Sequence, residues 1–98
     1  MRLELKDFQL FLQVAKSGSL TKASEQSHLS LAATSARIKA MEEEAGMPLL
    51  IREARGVRLT PPGEAFLFHA RAMLQQAQQL QSELQEYGAG LRGHVRVF

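Results

Sequence analysis

Gly18-Ser19-Leu20-Thr21-Lys22-Ala23-Ser24-Glu25-Gln26-Ser27-His28-Leu29-Ser30-Leu31-Ala32-Ala33-Thr34-Ser35-Ala36-Arg37-Ile38 is the stretch that decides the fold. It contains two helix starts. Ser19 and Ser30 each precede a helix-forming run, and a serine hydroxyl at such a position accepts a bond from an early backbone N–H. The first run predicts a short helix over Leu20 to about His28, with Leu20 and Ala23 turned inward. Leu29 falls in the turn and is placed to pin the two helices together. The second run predicts a helix from Leu31 to about Ala45, ended by Gly46. Two helices joined by so short a turn form a helix-turn-helix.

The two faces of the later helix differ. Thr34, Ile38, Met41 and Ala45 are spaced by four, three and four residues and stack on one side. Ala32, Ser35, Ala36, Lys39 and Glu43 lie opposite. The N-terminal half of that opposite face is small and almost uncharged, which permits close approach to a large surface. Glu42-Glu43-Glu44 reads as a solvated helix end.

Upstream, Leu5, Phe8, Leu12 and Ala15 recur at helical spacing, with Phe11 and Val14 widening the stripe. This predicts a first helix over Leu5 to Lys16, stopped at Ser17-Gly18-Ser19. Downstream, Leu49-Leu50-Ile51-Arg52 and Val57-Arg58-Leu59-Thr60 flank the polar turn Glu53-Ala54-Arg55-Gly56, the pattern of a small hairpin. Arg52, Arg55 and Arg58 cluster at its tip, against the single acid Glu53.

The last long element is predicted from Pro61 to about Tyr87. Thr60 suits its N-cap and Pro61 its first turn, with the Gly63 N–H the natural partner of the Thr60 hydroxyl. Phe66, Ala70, Met73, Ala77, Leu80, Leu84 and Tyr87 alternate steps of four and three, a heptad seam. Such a helix is about 40 Å long at ~1.5 Å per residue. A domain this small cannot cover its seam, so a second copy of the chain is the expected partner. Residues 91–98 read as a linker entering a strand.

Bulk properties narrow the classes. The 98 residues carry a net charge of only +2, so composition alone does not indicate a nucleic-acid partner. Cysteine is absent, which excludes disulfides, thiolate metal sites and cysteine nucleophiles and suits a reducing cytoplasm. No apolar run is long enough to span a bilayer. His28, His69 and His94 are scattered, with no carboxylate at ligand spacing on a shared helical face. No nucleophile–base pair or carboxylate pair supports an enzyme. Two function classes remain: duplex-DNA binding, or a coiled-coil protein-interaction module. The steep salt dependence of DNA binding separates them.

The order of Gly18-Ser19-Leu20-Thr21-Lys22-Ala23-Ser24, Ser30, Ile38, Met41-Glu42, Leu49-Leu50-Ile51-Arg52 and Arg58-Leu59-Thr60-Pro61-Pro62-Gly63 resembles the N-terminal segment of LysR-type transcriptional regulators. The resemblance implies a mainly α fold: a winged helix-turn-helix of three helices and a two-stranded wing over 1–60, then a long dimerisation helix over 61–88. Residues 89–98 would begin a truncated effector-binding domain. It implies a cytoplasmic bacterial regulator that binds double-stranded DNA as a homodimer through antiparallel linker helices, away from membranes. No cofactor is expected in this segment; a small-molecule effector is expected for the missing C-terminal domain. A winged helix of another bacterial family, such as the molybdate-responsive or multiple-antibiotic-resistance type, is the alternative.

Carried onto this chain, the DNA-contacting positions are Ser30, Leu31, Ala32, Ser35 and Ala36, with Arg37 and Lys39 alongside, Lys22 on the preceding helix, and Arg52, Arg55 and Arg58 in the wing. The dimer positions are the seven seam residues. The family usually has Gln at the position of Leu31, often Pro at Ala32, and frequently Arg or Lys at Ala36. Here all three are apolar, so base-edge hydrogen bonders are missing there. Ser27 and Thr34 stand where an apolar core residue is usual.

Overall fold

A computed structural model describes residues 2–89. The order is α1 (Leu5–Ser17), α2 (Leu20–Gln26), α3 (Leu31–Ala45), β1 (Leu50–Glu53), β2 (Gly56–Leu59) and α4 (Pro61–Gly88). The strand expected over 91–98 lies outside the described residues.

Helix α1 starts at a capping box, in which the Glu4 side chain accepts from the Asp7 N–H and the Glu4 N–H donates to Asp7 Oδ2 at 2.9 Å. It ends at Gly18, whose left-handed φ of 67° lets its N–H reach the Val14 carbonyl at 2.8 Å. The buried stripe is Phe8, Leu10, Phe11 and Val14. It is turned toward Leu10 relative to the stripe the periodicity indicated, because α1 packs against α2, α3 and α4 together. Leu10 is therefore in the core, while Leu5 at the start of the helix is exposed.

The Ser19 and Ser30 hydroxyls cap α2 and α3 by accepting from the Lys22 and Ala33 N–H groups at 3.1 and 3.0 Å. Helix α2 stops at Gln26, short of the expected His28. His28 takes a positive φ of 57°, and the Leu29 N–H turns back to the Ser24 carbonyl. Thr34, Ile38 and Met41 face inward from α3 as the spacing predicts, and Ala45 is half-buried. Phe11, Val14, Ile38, Met41 and Leu49 form the centre of the core with Ala23. The Thr34 hydroxyl is buried among them and has no hydrogen-bond partner.

The hairpin pairs Leu50 with Leu59, Ile51 with Arg58, Arg52 with Val57 and Glu53 with Gly56. Contacts with Gly18 and bonds across its own base help to fix its position. The Val57 N–H donates to the Gly18 carbonyl at 3.0 Å. Gly56, at φ 140°, lies so close to that carbonyl that a Cβ would collide with it. At the base, Thr60 donates its N–H to the Leu49 carbonyl and its hydroxyl to the Pro48 carbonyl.

The Thr60 hydroxyl also accepts the Gly63 N–H at 3.0 Å and so caps α4, as expected. The first turns of α4 cross α1, and the Phe66 ring sits 4.6 Å from Phe11 and 5.8 Å from Phe8. Leu67 and Ala70 are buried. Beyond them the helix leaves the domain, giving a molecule of 56 × 26 × 19 Å. This corrects the seam. Ala70 has no exposed surface and is used within the subunit, while Phe66 packs on α1 with one side still open. Met73, Leu80, Leu84 and Tyr87 are exposed and Ala77 is half-buried.

Candidate nucleic-acid interface

The outward face of α3 presents Leu31, Ala32, Ala36 and Lys39 to solvent, with Ser35 half-buried among them. Its N-terminal half is uncharged, with Lys39 and Glu43 further along. Lys22 is exposed on α2, and Ser30 is exposed at the start of α3.

The wing does not gather its three arginines at one tip. Successive strand residues point to opposite faces, and the register assigns them. Leu50, Arg52, Val57 and Leu59 share the inner face; Ile51, Glu53 and Arg58 share the outer one. Only Arg55 stands in the turn. Arg52 reaches from the inner face to α3, where its guanidinium donates to Ser35 Oγ at 3.1 Å. It closes one side of a notch that also includes Leu20, Thr21, Leu31 and Ala32. Arg58, on the outer face, is ion-paired with Glu53 at 2.7 Å.

Arg37 separates from the other predicted contacts. It lies two residues from Ser35, about 200° around a helix of ~3.6 residues per turn. It lines a groove with Lys6, Gln9, Gln13 and Gln26, to which no wing residue contributes. Lys39, four residues from Ser35, stays on the exposed face.

Glu42 is a positioning residue that the sequence reading missed. It is not part of a uniformly solvated helix end. Its Oε2 accepts the Leu49 N–H at 2.8 Å and the Leu50 N–H at 3.1 Å, and so fixes where the chain leaves α3 and enters the wing. The Glu44 carboxylate accepts the Arg2 N–H. Consecutive carboxylates on a helix point about 100° apart, so position in the run gave no signal; only the fold decides which one meets the wing.

Three packed helices, a hairpin clamped to their side and a long helix leaving the domain define a winged helix-turn-helix module. The profile of the bacterial regulatory helix-turn-helix proteins of the lysR family matches residues 5–64. The chain therefore belongs to the lysR family. It is 34% identical over 96 residues to the HTH-type transcriptional activator IlvY of Haemophilus influenzae, covering 98% of this chain and 33% of that protein. It is 36% identical over 95 residues to the nitrogen assimilation regulatory protein nac of Klebsiella aerogenes, covering 97% of this chain and 31% of that one. The chain thus spans about a third of the length of these relatives. The crystal structure of the BenM DNA-binding domain on catB site 1 DNA superposes with a TM-score of 0.85 at 32% identity, covering 94% of this chain and 100% of that one. The CbnR DNA-binding domain in complex with DNA gives 0.82 at 30% identity, covering 88% and 99%. Among the described residues, no helix is long and apolar enough to cross a membrane.

Proposed function

We propose that this segment binds double-stranded DNA as a dimer, laying α3 in the major groove and the wing beside it, for a cytoplasmic, non-enzymatic regulator of transcription. The observation that carries the reading is the N-terminal half of the outward face of α3: uncharged, exposed, and flanked by Arg52 held in place through Ser35. The likeness to DNA-binding domains solved on their sites supports it. Lys22, Lys39, Arg52 and Arg55 supply the phosphate contacts, and each one releases counterions. Leu31, Ala32 and Ala36 meet thymine methyl groups rather than base-edge donors and acceptors. Arg55, at the turn, is the side chain shaped to enter a narrow A·T-rich minor groove. Small-molecule control, if the full-length protein has it, belongs to the two thirds of the relatives' length that this chain does not span.

The dimer follows from α4. Two such helices crossing antiparallel near Ala77, where a small side chain allows close approach, bring Leu80 of each toward Met73 of the other. Leu84 and Tyr87 then arrive at the base of the partner's α4. There Leu3, Phe8, Met47, Ala65 and Phe66 line an apolar groove that the single chain leaves open. The exposed half of the seam and the groove are complementary surfaces of one chain, as a twofold interface requires.

Duplex binding measured across a salt series tests the proposal. The expected log–log slope is about −0.9 per phosphate contact. A flat salt response refutes DNA binding and favours a protein-interaction module. Selection from random duplexes tests the base preference, and strong discrimination at G·C pairs under α3 would count against the methyl-contact reading.

A further inference from the structure

We infer that Glu53 is a brake on the wing's grip on DNA, acting by holding the Arg58 guanidinium in an ion pair. The inference rests on the DNA-binding reading above. Glu53 ends β1 and Arg58 is the third residue of β2, both on the outer face of the hairpin. Arg58 Nε donates to Glu53 Oε2 at 2.7 Å, and the two side chains are 62% and 43% exposed.

A pair this exposed adds little to stability. Nor does the hairpin need it. Its position is set by the Glu42 carboxylate, the Gly18 carbonyl and the Thr60 clamp. What the pair changes is charge. Among the described residues Arg52 and Arg55 present their cations without a carboxylate partner, one beside α3 and one at the turn. Arg58 presents a neutral pair. To meet a phosphate it must leave Glu53 or bring that carboxylate toward a polyanion. While the pair holds, Arg58 releases no counterion and adds no affinity.

A phosphate contact carries no sequence information. The brake therefore weakens binding to every duplex alike and keeps the wing from sticking to DNA indiscriminately. Removing the carboxylate adds one contact per subunit, worth a salt slope steeper by about 0.9 per subunit. The gain cannot exceed what so exposed a pair is worth, so removing the carboxylate tightens binding at most about fivefold per subunit.

The test is a cycle of four proteins: the 98-residue chain, Glu53→Gln, Arg58→Gln and the double variant. Each is titrated with a fluorescein-labelled duplex of random sequence across a salt series, and its thermal melt is recorded to show that it folds. Glu53→Gln should bind up to about fivefold more tightly per subunit at low salt, with a steeper slope, and the gain should vanish when Arg58 is also replaced. An equal gain in both backgrounds overturns the inference, because Glu53 then acts by repelling phosphate and not by holding Arg58. No gain at all overturns it as well, by placing the wing's outer face off the DNA. A starting chain that binds with no salt dependence strikes the DNA reading itself, and the inference with it.

Discussion

Replacing Glu42 by alanine should loosen the wing and destabilise the whole domain. The carboxylate accepts two backbone N–H groups, from Leu49 at 2.8 Å and Leu50 at 3.1 Å. Those residues are 1% and 7% exposed, so water cannot readily replace the lost acceptor. Hydrogen bonds to a charged group contribute ~1.5–3 kcal/mol each. Partial relaxation toward solvent puts the loss of both near the lower end, about 3 kcal/mol. For a domain of this size ~1 kcal/mol corresponds to ~4–8 °C in melting temperature, so Glu42→Ala should melt roughly 12–24 °C lower. Glu42→Gln keeps the shape and an acceptor oxygen but loses the charge, and should cost about 1 kcal/mol. Glu43→Ala, one residue on and exposed, is the control and should stay within ~0.5 kcal/mol. Thermal melts at one fixed protein concentration measure all three, since a dimer's stability depends on concentration. Amide exchange adds a local readout: the Leu49 and Leu50 N–H groups should lose more protection than those of α1. If Glu42→Ala melts with Glu43→Ala, the carboxylate does not hold the wing and the reasoning fails.

Thr34→Val should stabilise the fold by about 1 kcal/mol in urea denaturation, because it replaces a buried hydroxyl that has no partner with a methyl of similar size; a loss of stability would mean that the hydroxyl is paired in solution. Gly63→Ala should cost more than ~2 kcal/mol, since its Cβ would collide with the Leu49 carbonyl, whereas Gly88→Ala, which meets nothing, should be neutral or slightly stabilising in the same melts. Leu80→Glu combined with Leu84→Glu should give a folded monomer with unchanged helical circular dichroism and weakened duplex binding, because both side chains are 58% exposed in the single chain. Sedimentation that still shows dimers would locate the interface elsewhere.

The local elements were legible in the residues because their causes are local. Ser19, Ser30 and Thr60 cap the helices they precede, Gly18 and Gly46 take the left-handed turns that end α1 and α3, and the spacing of Thr34, Ile38 and Met41 marks the inward face of α3. The heptad pattern likewise marks one side of α4. These signals depend on a few neighbouring residues and on helical periodicity, which a linear reading can count.

The tertiary structure decided which surfaces were already occupied and which charges met. Ala70 carries the same periodic signal as Leu80 and Leu84, but packing within the subunit buries it and leaves them open. Arg52, Arg55 and Arg58 read as one cluster until the strand register sends Arg52 to Ser35 and Arg58 to Glu53. Glu42 differs from its acidic neighbours only because packing brings the Leu49 and Leu50 N–H groups to its carboxylate. A side chain's partner across tens of residues is set by how the elements pack, and that information is absent from the spacing within any one of them.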